Sequence, residues 1–165
     1  MYARILVPID GSGAAERGLD EAIALARQLG STLHFLSVVD ARLLGMAASV
    51  CVPPEHLVED WRIAGEKLVP AAVERARSQS VDAHGAVRCD PDHRVYEVIL
   101  REAQNVNADL IVMGTHGRGG LPRLLLGSDA EFVLRQSPVP VLLVRGPTIS
   151  KPALDVDRPT VAARS

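Results

Sequence analysis

Five short runs of aliphatic residues alternate along this chain with stretches of helical periodicity, and that alternation leaves few folds open. The runs are Arg4 to Ile9, Thr32 to Val39, Ala83 to Arg88, Asp109 to Met113 and Val139 to Val144. After the first, Asp10 to Gly13 reads as a turn and a helix start. Ala15, Leu19, Ala22, Ile23, Ala26 and Leu29 then recur at helical spacing, and Gly30 stands where a left-handed residue closes a helix. Residues 40 to 53 read as an irregular loop. In the next helix Leu57, Trp61, Ala64, Leu68, Ala71 and Ala72 are expected to share a face, with Pro70 kinking the helix or ending it early. Asp90-Pro91-Asp92 is a turn. Val95, Val98, Ile99, Glu102, Ala103 and Val106 line one side of the helix that follows. Ser128 to Gln136 is a last helix, with Ala130, Val133 and Leu134 expected inward.

Strands alternating with helices imply a parallel sheet with right-handed crossovers. The expectation is a single-domain, doubly wound α/β fold with a five-stranded parallel sheet in the order 3-2-1-4-5 and helices on both faces. The domain would span residues 1–146. The tail, 147–165, has no periodicity and is expected to be disordered or loosely packed. Composition agrees: 47% of the 165 residues are hydrophobic and only 3% aromatic, so the core must be aliphatic.

The same figures narrow the function. So few aromatics cannot furnish the stacking platforms of a single-stranded nucleic-acid binder. Net charge is −2, with both signs interspersed, so no basic stripe points to DNA and none to an anionic membrane. The opening residues lack a signal peptide's long apolar core, and no apolar run approaches the ~20 residues of a membrane span. Cys51 and Cys89 make no disulfide framework and read as reduced thiols in a cytoplasmic protein. Cys89 and His93 beside a turn are too few to ligate zinc, and no Ser-His-Asp or paired-carboxylate arrangement is legible.

Chemistry concentrates after the fourth run. Gly114, Gly117, Gly119 and Gly120 fall within seven residues of one another, and Gly127-Ser128 opens the last helix. Glycine lets a ligand approach the main chain, exposed N–H groups form an anion nest, and a helix N-terminus adds positive character. His116, Arg118 and Arg123 stand nearby. The loop has no lysine, so it is not a Gly-x4-Gly-Lys-Ser/Thr phosphate loop, and the dinucleotide fingerprint would have to follow the first strand. In doubly wound sheets ligands bind beyond the carboxyl ends of the strands, where strand order reverses. Asp10, the Val38-Val39-Asp40 end and the Gly114 loop all fall at such ends.

The spacing Gly114-x2-Gly117-x9-Gly127-Ser128 resembles the nucleotide-binding signature of the universal stress protein family. So do the opening Ile5 to Ser12 with Pro8-x-Asp10, the end Val38-Val39-Asp40, the phrase Ala108 to Gly117 and the ending Pro138 to Arg145. The resemblance covers about residues 2 to 145 and points to the ATP-binding branch. It implies that Asp10, with Pro8 beside it, and Val38 contact the adenosine end, that Met113 and Gly114 lie near the ribose, and that Gly117, Gly127 and Ser128 hold the phosphates, with His116 and Asp129 at their margin. It further implies ATP as ligand, with Mg²⁺ able to offset repulsion, and a homodimer joined through the strand Val139 to Val144. Two positions depart from the pattern: Asp129 brings a negative charge to the first turn of the last helix, and Ala130 has no hydroxyl to offer.

Three functions follow from these residues: an ATP-binding stress-response or regulatory protein, a slow ATPase or nucleotidyl-transfer enzyme using His116 or Asp129, and an interaction module with a vestigial pocket. Locally, Ser128-x-x-Glu131 also reads as a capping box, and Asp10 as a turn residue.

Overall fold

A computed structural model describes residues 2–40, 54–115 and 126–146. The described elements run β1 (Arg4–Pro8), α1 (Gly13–Leu29), β2 (Thr32–Val39), α2 (Pro54–Arg77), β3 (Ala83–Cys89), α3 (Val95–Asn105), β4 (Leu110–Gly114), α4 (Ser128–Gln136) and β5 (Val141–Val144). All strand pairs are parallel, as the alternation predicts, and the sheet order is the expected β3-β2-β1-β4-β5. The chain steps outward from β1 to β3, crosses back to β4, and ends at β5. The reversal therefore lies between β1 and β4.

Both faces of the sheet are covered, so the central strands are apolar at successive positions rather than alternate ones. Ile5, Val7, Leu33, Phe35, Leu110 and Val112 pack under α1 and α2. Leu6, Leu36, Ile111 and Met113 pack under α3 and α4. Phe35 is the largest fully buried side chain, and the remainder of both layers is almost wholly aliphatic.

Local chemistry sets the ends of α1. Ser12 is its N-cap and accepts a hydrogen bond from the Ala15 N–H at 3.2 Å. Gly30 takes a left-handed φ of 70° and donates its N–H to the Ala26 carbonyl at 2.8 Å.

Three expectations about helices need correction. Pro70 does not end α2, which continues to Arg77. The proline is exposed, as is Glu66 four residues before it, so the missing hydrogen bond falls on the solvent side of the helix. The stripe that α2 turns to the sheet is Gly65, Val69, Ala72 and Ala76, whereas Ala64 and Ala71 are exposed and Trp61 and Leu68 half-buried. Small residues fix this stripe: a Cβ on Gly65 would lie 2.9 Å from Ser37 Oγ, so the helix approaches the strand where it lacks a side chain. On α4, Ala130 and Val133 are buried, but Leu134, about 100° further round, is 49% exposed. The last strand also begins later than its apolar run. Ser137 Oγ donates to the Val139 carbonyl in a turn, and Pro140 contributes only its carbonyl, to Ile111 N–H.

A seam of small residues joins the two halves of the sheet. A Cβ on Gly114 would lie 2.7 Å from the Ala14 carbonyl carbon and 2.8 Å from Ala15 N. Gly18 meets the Gly114 amide, and Gly146 meets Ala14. The first turn of α1 thus sits directly against the carboxyl end of β4. Gly114→Ala is expected to lower the urea midpoint at unchanged slope, by about 1–3 kcal/mol of stability, because both opposing atoms are backbone.

Candidate functional site

The parallel sheet brings Pro8, Asp10, Val38, Met113 and Gly114 to its carboxyl edge, and the start of α4 adds Gly127, Ser128 and Asp129. His116 and Gly117 lie outside the described residues, as do Arg118, Gly119, Gly120 and Arg123. Met113 is buried, and Pro8, Asp10, Val38, Gly127 and Asp129 are half-buried. Asp10 Oδ1 accepts the Ser12 N–H at 2.9 Å, which orients the turn leading into α1. The seam at Gly114 aims the N-terminus of α1 at the same edge. The glycine at 114 is explained by contact with a helix, not by room for a ligand.

The two stems of the glycine-rich segment are fastened to each other. Thr115 donates its N–H to the Val144 carbonyl at 2.9 Å, and its own carbonyl accepts the Gly127 N–H at 2.9 Å. Gly127, with ψ of 144°, is the N-cap of α4, and Ser128 is the first helical residue. The capping box read at Ser128-x-x-Glu131 is not formed: the N-cap is Gly127, which has no side chain to cap with, and Glu131 N–H bonds the Gly127 carbonyl. Asp129 and Glu131 occupy the first turn, where negative charge suits the helix dipole. Two helix N-termini, α1 and α4, thus converge where β1 and β4 end, a donor arrangement suited to an anion.

A polar cluster away from this edge has no counterpart in the motif reading. Glu102, on the sheet-facing side of α3, has a side chain only 3% exposed. Its Oε1 lies 3.1 Å from His34 Nε2 on β2 and accepts Arg88 Nη2 from β3 at 2.9 Å. Its Oε2 accepts Arg88 Nε at 3.2 Å and Asn105 Nδ2 at 3.4 Å. Burial alone would push the Glu102 carboxyl up, but the Arg88 and Asn105 bonds and the charges of Arg88 and His34 outweigh it and hold it below its ordinary value. Burial pushes the His34 imidazole down, and Arg88 and His84 add to this against the pull of Glu102. At neutral pH the arrangement is a neutral imidazole donating to a carboxylate whose counter-ion is Arg88. One signal was legible in the sequence: a glutamate on the apolar side of a helix needs a partner.

Both groups titrate at lower pH when folded than when unfolded. The unfolded chain therefore takes up protons first on acidification, and stability falls. It is expected to drop as pH goes below His34's ordinary 6.5, and again below Glu102's ordinary 4.5. Urea midpoints measured from pH 7.5 to 4 check this, with the upper stage absent in His34→Gln.

At the turn into α3, His93 Nδ1 lies 2.9 Å from Asp90 Oδ2, and Arg101 Nη2 lies 2.6 Å from His93 Nε2. The hydrogen bond from His93 and the Asp92 N–H hold the Asp90 carboxyl below its usual range.

Comparison with known proteins follows the same outline. The model of the universal stress protein family matches residues 1–145. A universal stress protein of Thermus aquaticus is 36% identical over 148 residues, 88% of this chain and 100% of that protein. The crystal structure of a universal stress protein family member from Burkholderia pseudomallei superposes with a TM-score of 0.70 at 32% identity, covering 87% of this chain and 96% of that one. The Archaeoglobus fulgidus universal stress protein, solved in complex with dAMP, shares the fold at a TM-score of 0.61 and 21% identity, covering 87% and 98% of the two chains. With this match running from β1 through β5, the chain belongs to the universal stress protein family.

Proposed function

We propose that this chain binds ATP at the carboxyl edge between β1 and β4 and acts as a regulatory, stress-response homodimer in the cytoplasm. The observation that carries the reading is the Gly127-to-Thr115 hydrogen bond, which closes the glycine-rich segment at the point where the N-termini of α1 and α4 converge. In this reading Pro8, Asp10 and Val38 receive the adenosine end, and Met113 and Gly114 flank the ribose. Gly117, Gly127 and Ser128 hold the phosphates, with His116 beside them; the Gly127 N–H is already given to Thr115, so Gly127 contributes the close approach that a glycine allows. The donor set suits the ligand: a carboxylate accepts from a ribose hydroxyl or an adenine amine, and helix N-termini favour phosphate. The dAMP held by the Archaeoglobus fulgidus protein is a ligand of the same adenine nucleotide class.

Asp129 opposes the triphosphate from the first turn of α4, and Mg²⁺ relieves that repulsion. Denaturing the purified protein and identifying the released nucleotide by mass spectrometry tests the reading, with ATP expected. In titrations Asp129→Val is expected to tighten ATP several-fold in the absence of Mg²⁺. Unchanged affinity would remove the repulsion argument. One observation favours the vestigial pocket instead: Ala130 is 3% exposed and has no hydroxyl to turn toward phosphate. Under that reading no nucleotide is released and none binds on titration. Turnover above background, lost in His116→Ala or Asp129→Ala, would make the protein a slow ATPase.

The dimer rests on β5, which among the described residues is an edge strand paired with β4 alone, and whose Leu142 is 38% exposed. Aliphatic edges of this kind are normally paired or covered, and lysine blunts them. Among the described residues, no helix is long and apolar enough to cross a membrane. Light scattering after size exclusion is expected to give a dimer mass at micromolar concentration, and a monomer for Leu142→Lys.

A further inference from the structure

We propose that His34 and Arg88 compete for the one Glu102 carboxylate, so that a proton arriving at His34 releases the edge strand β3 from α3. The geometry is a shared acceptor. Among the described residues, Glu102 is the one carboxylate acting on His34 from the packed elements. From β3 come the cations of Arg88 and, when protonated, His84, whose Nε2 lies 3.6 Å from Asp82 Oδ1. From α3 come Glu102 and the neutral Asn105 amide. β1 contributes Leu6, the register partner of His34.

An ionised carboxylate only accepts, so His34 must carry its hydrogen on Nε2. The added proton therefore enters at Nδ1. Before it arrives, Glu102 and Arg88 balance one another. Afterwards two cations share one buried anion, and the surplus charge has to reach water. The two cations differ in freedom to leave. The His34 side chain is 19% exposed on an inner strand. The Arg88 side chain is 49% exposed on a flexible stem at the sheet edge. Arg88 is the one that departs, and its two bonds to Glu102 join β3 to α3. Burial and the neighbouring cations hold the imidazole below its ordinary range, so the exchange takes place under mild acid rather than at neutral pH.

Competition for one acceptor is reciprocal, which makes it testable. The His34 imidazole is followed by NMR through a pH titration of the full chain, together with hydrogen exchange of the β3 amides. Protection of β3, corrected for intrinsic rates and referred to β1, is expected to fall about tenfold across the His34 transition. His34→Gln, which keeps a neutral donor, is expected to abolish that pH dependence. Arg88→Gln is expected to move the His34 midpoint upward, and Arg88→Lys, which keeps the charge but loses the fork, to move it less in the same direction. A His34 midpoint unmoved by both Arg88 variants overturns the proposal, as does β3 protection that falls equally in His34→Gln.

Discussion

The close approach of α1 to the end of β4 is the contact on which the rest of the molecule depends. β1 and β4 are neighbours in the sheet, yet some hundred residues of chain separate them. Hydrogen bonding alone would hold the two strands in register. The seam of Ala14, Ala15, Gly18, Gly114 and Gly146 does more, because it sets one crossover helix against the far half of the sheet with backbone on backbone. Its tightness fixes where α1 begins relative to where β4 ends. The carboxyl edge between them acquires its shape from that spacing, so stability and the geometry of the candidate site share one origin.

The elements were legible wherever burial is two-sided or periodic. The apolar run Thr32 to Val39 and the helical stretch Ser128 to Gln136 carry in the sequence the bounds they have in the structure, and the alternation carries the parallel pairing. The differences have separate causes. Ala72 lies on the face expected of α2, but the rest of its docking stripe is Gly65, Val69 and Ala76, and the small residues Gly65 and Ala76 carry little hydrophobic signal beside Trp61 and Leu68. Pro70 sits within α2 because, on the solvent side of a helix, water can replace the hydrogen bond that proline cannot make.

The site was legible in part, because glycine spacing is a strong signal with more than one meaning. At Gly30 the reason is a left-handed φ, and at Gly114 it is a neighbouring helix. Only three-dimensional placement separates such causes from room for a ligand. The Glu102 cluster was harder to read. Its members come from β2, β3 and α3, and nothing in the spacing of His34, Arg88 and Glu102 says that they meet.

The hydrogen bond between Gly127 and Thr115 also separates two design problems that most binding loops must solve together. The segment between these residues is a ring tied at its neck to the framework, and the neck is held by β4, β5 and the first turn of α4. Closure entropy grows only slowly with the length of such a ring. A change in the number of residues between Thr115 and Gly127 therefore costs little while their bond stands, and the sheet and α4 beneath it can keep one geometry across such changes.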